Sequence, residues 1–398
     1  MRRNILVELC VLASMEKIPK TDLYQRGIPL LAFLPILALL SGGTAAGAES
    51  FDEWELASPA TVGLDPVRLH TLVQKIRAGE FENIHSLLIV RSGKLVIEEY
   101  FKGADERRGE PLGTIEFNAS TLHDIRSITK SVTSALFGIA LTGDPNRSID
   151  DSVLSYFPEY KDLRTQDRLA IRLRDLLSMT AGWEWNEKLS YRDPLNSEIR
   201  MDIASDRYRF VLERPIVAKP RRQFTYNGGC TALIAAVIER WTKMPLDKYA
   251  EQQLFQPLGI SKYEWLKDAH GTPIAASGLR LRPRDLAKFA SLYLDKGRWH
   301  ESQVIPEDWI DASLMPHIQV DGNLEYGYQW WLWCNSQGSD KPITWAGAFG
   351  NGGQRAWVVP SAKLVVIVTT GLYDAPEADT VMRQIFTKYI LPAVGLIL

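Results

Sequence analysis

The chain is poor in the residues that build cross-linked or metal-centred proteins. Of its 398 residues, 3 are cysteine and 6 are histidine. Cys10 lies in an N-terminal leader, leaving Cys230 and Cys334 far apart with no C-x-x-C. That count excludes a disulfide framework and a cysteine zinc site; two buried thiols or a single bridge both stay open. The histidines form no H-E-x-x-H and no other close pair in sequence, so neither metal nor cofactor is expected. An excess of one charge is missing too. With 46 Lys+Arg against 48 Asp+Glu, the net charge of −2 gives no reason to expect nucleic acid or an acidic membrane. No repeat period, low-complexity tract or long charge run appears, which removes solenoids and disordered arrays. What is present, 45% hydrophobic and 24% charged residues, suits a globular protein with a large core.

One long apolar run occurs, and it comes early. Ile28 to Leu40 follows Arg26 and leads into small residues ending Ala46-Gly47-Ala48. Positive n-region, short apolar h-region and A-x-A site are the layout of a secretory signal. The expected organisation is therefore a leader over 1–48 and one domain over 49–398, exported to the periplasm or beyond. An uncleaved leader anchoring the protein to a membrane is the alternative.

Strand signals cluster at both ends of the mature chain. "IHSLLIVRSGKLVIEEYF" (84–101) reads as a hairpin turning at Arg91-Ser92-Gly93-Lys94, and "GQRAWVVPSAKLVVIVTTG" (353–371) reads as another. "APEADTVMRQIFTKYILPAVG" follows as a terminal helix. Between them, "LRDLLSMT", "TALIAAVIERWTK" and "RDLAKFASLYLDKG" carry helical spacing. This segregation predicts an α+β fold: an antiparallel sheet from both chain ends, flanked by helices, with a mostly helical region inserted at about 143–312. The loop "GWEWNEKLSYRDPLNSE" (182–198) exceeds the usual connection length and reads either as a binding wall or as a packed surface loop.

"DIRSITKSVTSALFGIAL" (124–141) holds Ser127 and Lys130 three apart. The same spacing recurs at Ser14 and Lys17, so the pattern alone decides nothing. Here, however, it opens a helix apolar on most sides, which puts both side chains on one face. Burial would lower the pKa of Lys130 and make it a base for the serine proton, while the helix N-terminus favours an oxyanion. The plainer alternative is a capping serine with a lysine reaching back to solvent. Tyr226, in "RQFTYNGGCTALIAAVIE" (222–239), sits in a turn before a helix, where it is either a proton relay or a packed turn tyrosine. "TWAGAFGNGGQRAWVV" (344–359) is a glycine-rich segment entering a strand.

Taken in order, these stretches resemble the serine β-lactamase and penicillin-binding-protein superfamily. The likeness is to its class C-like branch, with β-lactamase-like esterases and 6-aminohexanoate-dimer hydrolases. "SITK" matches the nucleophile motif, "FTYNGGCTALIAAVIE" the F-x-Y-S-N segment and its helix, and "LLSMTAGW" the L-L-x-H-T-S-G-L stretch. "GLRLRPRDLAKFASLYLDKGRW" resembles a helix late in the inserted region. The resemblance implies Ser127 as nucleophile, Lys130 as general base and Tyr226 as relay. It further implies an oxyanion site from the N–H groups of Ser127 and Ala348, with Trp345, Gly347 and Asn351 beside the substrate. Two departures stand out. The family's Y-x-N asparagine falls on Gly228, and its K-T-G strand motif on Trp345-Ala346-Gly347. Both losses argue against β-lactams and D-alanyl-D-alanine peptides. Arg355 is either a replacement cation or a solvent-facing strand arginine. The expectation is a metal-independent serine hydrolase for a small ester or amide. A β-lactamase or D-alanyl-D-alanine carboxypeptidase is the rival within enzymes, and a non-catalytic binding protein on the same fold the rival outside them.

Overall fold

The computed structural model describes residues 54–335 and 343–396. The expected leader, with Cys10 and the Ser14–Lys17 pair, lies outside them. Eight strands form one antiparallel sheet. In spatial order they are Ile318–Asp321, Leu324–Tyr326, Trp331–Asn335, Ile343–Gly350, Gln354–Val359, Leu364–Thr370, Ile84–Arg91 and Lys94–Tyr100. Strands from the two ends of the chain meet between the sixth and seventh positions, where Ile89 pairs with Val366. Both hairpins expected from sequence are present. The first turns at Ser92 and Gly93, whose φ values of 49° and 79° are those of a tight two-residue turn.

The central strands are apolar on both faces, and period-two alternation splits them between two cores. Leu88, Val90, Val365 and Ile367 face one core, while Leu87, Ile89, Val366 and Val368 face the other. The second is covered by the helix Pro66–Arg77 and by the chain end, helical from Ala378 to Ile385 and onward. The first holds the helices Ile128–Thr142, Gly228–Thr242 and Pro283–Leu294. Burying twelve of the fifteen residues of Ile128–Thr142 needs its hydroxyls satisfied. Ser131, Thr133 and Ser134 do this by donating to the carbonyls of Gln329, Ala275 and Tyr328. These bonds tie the helix to two loops, one of which meets Lys130 through the Ala276 carbonyl.

The region expected to be helical, 143–312, also carries short strands. Leu279–Leu281 pairs there with Tyr263–Trp265 and, from outside that region, with His123–Asp124 in a small three-stranded sheet. Strands of two or three residues carry too little period to read from sequence. Before that region, Lys102–Arg107 pairs with Glu110–Glu116. Cys230 and Cys334 are both free thiols, the first buried and the second partly exposed. Among the described residues, no helix is long and apolar enough to cross a membrane.

Candidate active site

Ser127 stands at the N-cap of the helix Ile128–Thr142, but its hydroxyl makes no cap bond. The preceding Arg126 has φ of 49°, an unfavourable left-handed conformation for a non-glycine residue. Arg126 is held there by ion pairs with Glu106 and Asp124. One turn further on, Lys130 has only 1% of its side chain exposed, and its ammonium donates to Ser127 Oγ at 3.1 Å. The capping serine and the snorkelling lysine are both absent from this structure.

The surroundings of Lys130 contain two groups that no sequence motif pointed to. Its Nζ lies 3.4 Å from Glu198 Oε2 and 3.7 Å from Glu187 Oε1, and donates to the Ala276 carbonyl at 3.2 Å. Both glutamates belong to the 182–198 loop, so that loop does wall the site, with carboxylates at its heart. The Ser277 hydroxyl donates to Glu198 Oε1 at 2.6 Å. Glu187 accepts from the backbone N–H of Gly228, from the Trp185 indole and from the Tyr191 hydroxyl.

These neighbours reverse the direction expected for Lys130. Burial alone would depress its pKa, but Glu198, then Tyr226 and Glu187, outweigh burial and hold it above the ordinary lysine value. Glu198 is also opposed by burial, yet Lys130 and then Arg108 keep it below the usual carboxylate range. Glu187 goes the other way. Burial, opposed by Lys130 and reinforced by the Glu198 charge, pushes it up to about 8. The surroundings thus favour the charged forms of Lys130 and Glu198 and the neutral form of Glu187.

Tyr226 lies in the turn before the helix Gly228–Thr242, whose N-cap Asn227 accepts from the Cys230 N–H at 3.1 Å. The Lys130 ammonium sits 4.8 Å from the Tyr226 ring centroid, and the ring stacks on Trp331 at 5.7 Å. Burial raises its pKa despite Lys130 and a hydrogen bond with Ser127, so the phenol keeps its proton at neutral pH. Gly228 has a packing reason for lacking a side chain. A Cβ there would come 2.3 Å from Glu198 Oε2.

Not all the expected strand residues gather at Ser127. The residue that does is Asn351, which lines a small cavity with Ser127, Arg108, Arg126, Tyr191 and Ser277. Gly350 allows this, because a Cβ on it would lie 2.4 Å from the Ile125 carbonyl oxygen. The Asn351 side chain is locked by Asp374, donating to its carboxylate at 2.7 Å and accepting from its N–H at 3.1 Å. Ala348 lies three residues before Asn351. It pairs with Ala356 inside the sheet, with its side chain in the core. Gly347 pairs with Trp331 in the same strand, crossed by the Phe349 ring. Trp345 lines a separate aromatic cleft of about 570 Å³, which reaches Tyr226 only through Phe349 and Trp331. Arg355 lies in that cleft as well. It is buried, paired with Asp379 and set over Phe349 at 4.6 Å, and is neither solvent-facing nor near Ser127.

Outside the Ser127 cavity lies a second, polar one of about 80 Å³, lined by Glu106, Arg192, Ile199 and Asp374 among others. It shares Arg108, Arg126, Tyr191 and Asn351 with the first. Charges of both signs thus line the cavity that adjoins the one at Ser127.

A family model described as Beta-lactamase matches residues 84–386. A curated relative from Salmonella gallinarum, provisionally named a D-alanyl-D-alanine carboxypeptidase, is 25% identical over 259 residues. The match covers 62% of this chain and 59% of the relative's length. Among solved structures, a Bacillus anthracis protein provisionally named a 6-aminohexanoate-dimer hydrolase superposes with a TM-score of 0.66 at 20% identity. It covers 81% of this chain and 82% of its own. EstCE1, a hydrolase with promiscuous acyltransferase activity, gives 0.63 at 16% identity over 82% and 97%. The octameric penicillin-binding protein homologue from Pyrococcus abyssi gives 0.60 at 19% identity over 83% and 77%.

Proposed function

The chain belongs to the beta-lactamase family, and from that premise we propose that it is a serine hydrolase for a small, polar ester or amide, working through an acyl-enzyme. One observation carries the reading: a serine hydroxyl released from capping, 3.1 Å from a buried lysine that two glutamates enclose. Ser127 Oγ attacks the substrate carbonyl, and the backbone N–H groups of Ser127 and Asn351 receive the oxyanion.

The proton inventory differs from that of a neutral-lysine base. Lys130 holds its proton at rest, so the attack couples two transfers. An ammonium proton moves to Glu198 as Lys130 takes the proton of Ser127 and the oxygen–carbon bond forms. The Tyr226 phenol, bonded to Ser127, gives its proton to the leaving group as the carbonyl–leaving-group bond breaks, and is refilled from Lys130. Water then attacks the acyl-enzyme, with the same groups returning the proton to Ser127. The charged lining of the cavity beside Ser127 favours polar substrates over long acyl chains.

The test is a side-by-side assay of the purified protein and its Ser127→Ala variant on p-nitrophenyl butyrate, nitrocefin and 6-aminohexanoate dimer. Turnover of the ester or the dimer that vanishes in the variant, with little on nitrocefin, is the expected result. Fast, serine-dependent nitrocefin turnover would replace the reading with a β-lactamase. No serine-dependent turnover of any of the three would refute it.

A further inference from the structure

Away from Lys130, three strands bring His85, Asp105 and His123 together in a buried cluster. The two histidines have no exposed surface and Asp105 is 6% exposed. Candidate ligand atoms on the three residues lie within 4.8 Å of one another. His85 Nδ1 is 2.8 Å from His123 Nε2, which is 3.7 Å from Asp105 Oδ1.

The outer nitrogens fix where the ring protons sit. Asn83 donates its amide to the Ala104 carbonyl and accepts the Ala104 N–H on Oδ1, so its orientation is set. The same Oδ1 faces His85 Nε2 at 3.0 Å, and that nitrogen therefore carries a hydrogen. His123 Nδ1 faces the Asp124 carbonyl oxygen at 2.9 Å and must also carry one. In singly protonated rings the inner nitrogens, His85 Nδ1 and His123 Nε2, are then both bare lone pairs. A carboxylate is the third member of the group, its Oδ1 already accepting from the Tyr373 hydroxyl at 2.9 Å. Three acceptors then converge with no donor between them, an arrangement that a bound cation, or in its absence an extra ring proton, makes favourable.

We propose that His85 Nδ1, His123 Nε2 and the Asp105 carboxylate bind a divalent cation of the zinc class. Two imidazoles and one carboxylate are a zinc donor set, and metal-bound histidines characteristically donate their other N–H to a carbonyl or carboxylate oxygen. Here Asn83, the Asp124 carbonyl and Tyr373 fill those outer roles. Zinc–nitrogen bonds of about 2.0–2.1 Å require the two nitrogens to open by roughly half an ångström. The surroundings suit a buried ion. Phe117 stacks on His85 at 4.1 Å, and Gly103 has no Cβ because one would lie 2.6 Å from the His85 ring. The histidines are 38 residues apart in sequence, which hides the pair from any motif. His123 stands four residues before Ser127, so the ion would clamp three strands beneath the nucleophile and take no part in the chemistry there.

The test uses the full chain, purified without a metal-binding tag, incubated with zinc sulfate, desalted and analysed for metal. About one zinc per chain is expected, falling below about a tenth in His85→Gln and in Asp105→Asn. Zinc should also raise the melting temperature of the wild type by several degrees and leave the variants unmoved. Cobalt loading should give the visible bands of a four-coordinate nitrogen–oxygen site. If His85→Gln does not fold, Asp105→Asn, which keeps the side-chain volume, decides. A folded wild type that takes up less than a tenth of an equivalent would overturn the proposal, the histidine pair then sharing an extra proton. Equal zinc in the wild type and a folded variant would overturn it as well.

Discussion

Removing the carboxyl groups of both Glu187 and Glu198 should unmask the cost of burying Lys130. At 3.4 Å, and with an effective dielectric constant of about 20, one ammonium–carboxylate contact is worth about 5 kcal/mol before desolvation is counted. Breaking a buried pair by removing one partner typically costs about 3–5 kcal/mol. Neither single variant should show that full loss. In Glu198→Gln, the Glu187 carboxyl is relieved of its like-charged neighbour, ionises and pairs with Lys130 from 3.7 Å. Each single variant should therefore cost roughly 2 kcal/mol or less, and Glu187→Gln/Glu198→Gln at least about 3–5 kcal/mol, more than the sum. The pH dependence has a definite sign. In the wild type the folded pKa of Lys130 lies above its ordinary 10.5, so its stabilising contribution is complete below that value and lost only at higher pH. In the double variant burial acts unopposed and depresses the pKa, so stability recovers as pH rises towards 10.5. Urea unfolding followed by tryptophan fluorescence at pH 6 and pH 10 measures the gap. It should be widest at pH 6. Additive single losses, or a gap independent of pH, would refute this account of the trio.

Three other outcomes are expected. Tyr226→Phe keeps the ring on Trp331 but removes the hydroxyl, so kcat should fall by about 10²–10⁴ with an unchanged melting curve; near-wild-type kcat would remove Tyr226 from the proton path. Gly228→Asn should lower turnover of every substrate together, because its Cβ displaces Glu198; a gain confined to β-lactam amides, the effect a family asparagine would bring, would contradict the packing argument. Glu187 is raised from its ordinary 4.5 to about 8, so the stability that its neutral form contributes is present below about pH 4.5 and lost as pH climbs to 8. A Glu187→Gln variant should show a flatter profile over that window, and a protonated-carboxyl infrared band titrating near 8 should disappear with it.

What was legible in the sequence is what local chemistry encodes. The two hairpins carry their turn residues and alternation, and the helix after Ser127 carries its apolar faces. The Ser127–Lys130 spacing places both side chains on one turn whatever surrounds them. Glu187 was hidden because an irregular loop has no period from which to read direction, and Glu198 because it opens a six-residue helix, Ser197–Asp202, too short to show one, although the length of the stretch marked it out. The sign of the Lys130 shift depended on those two residues and was lost with them. The proposed mechanism takes its second oxyanion donor from Asn351 and not Ala348, because a glycine-rich strand offers several equivalent registers. Contact between Gly350 and the Ile125 carbonyl chooses among them, and only the fold supplies that contact. Arg355 illustrates the same limit: alternation puts it on one sheet face, but not under a helix that brings Asp379 to it.

The central claim, that Ser127 is the nucleophile of this site, is tested most directly by covalent capture. The purified protein is exposed briefly to a p-nitrophenyl alkylphosphonate, weighed by intact mass spectrometry and mapped by peptide. A single adduct on Ser127, absent in Ser127→Ala and much slower to form in Lys130→Ala, is the result this account predicts. An adduct on another residue, or full hydrolytic activity surviving in Ser127→Ala, would contradict it.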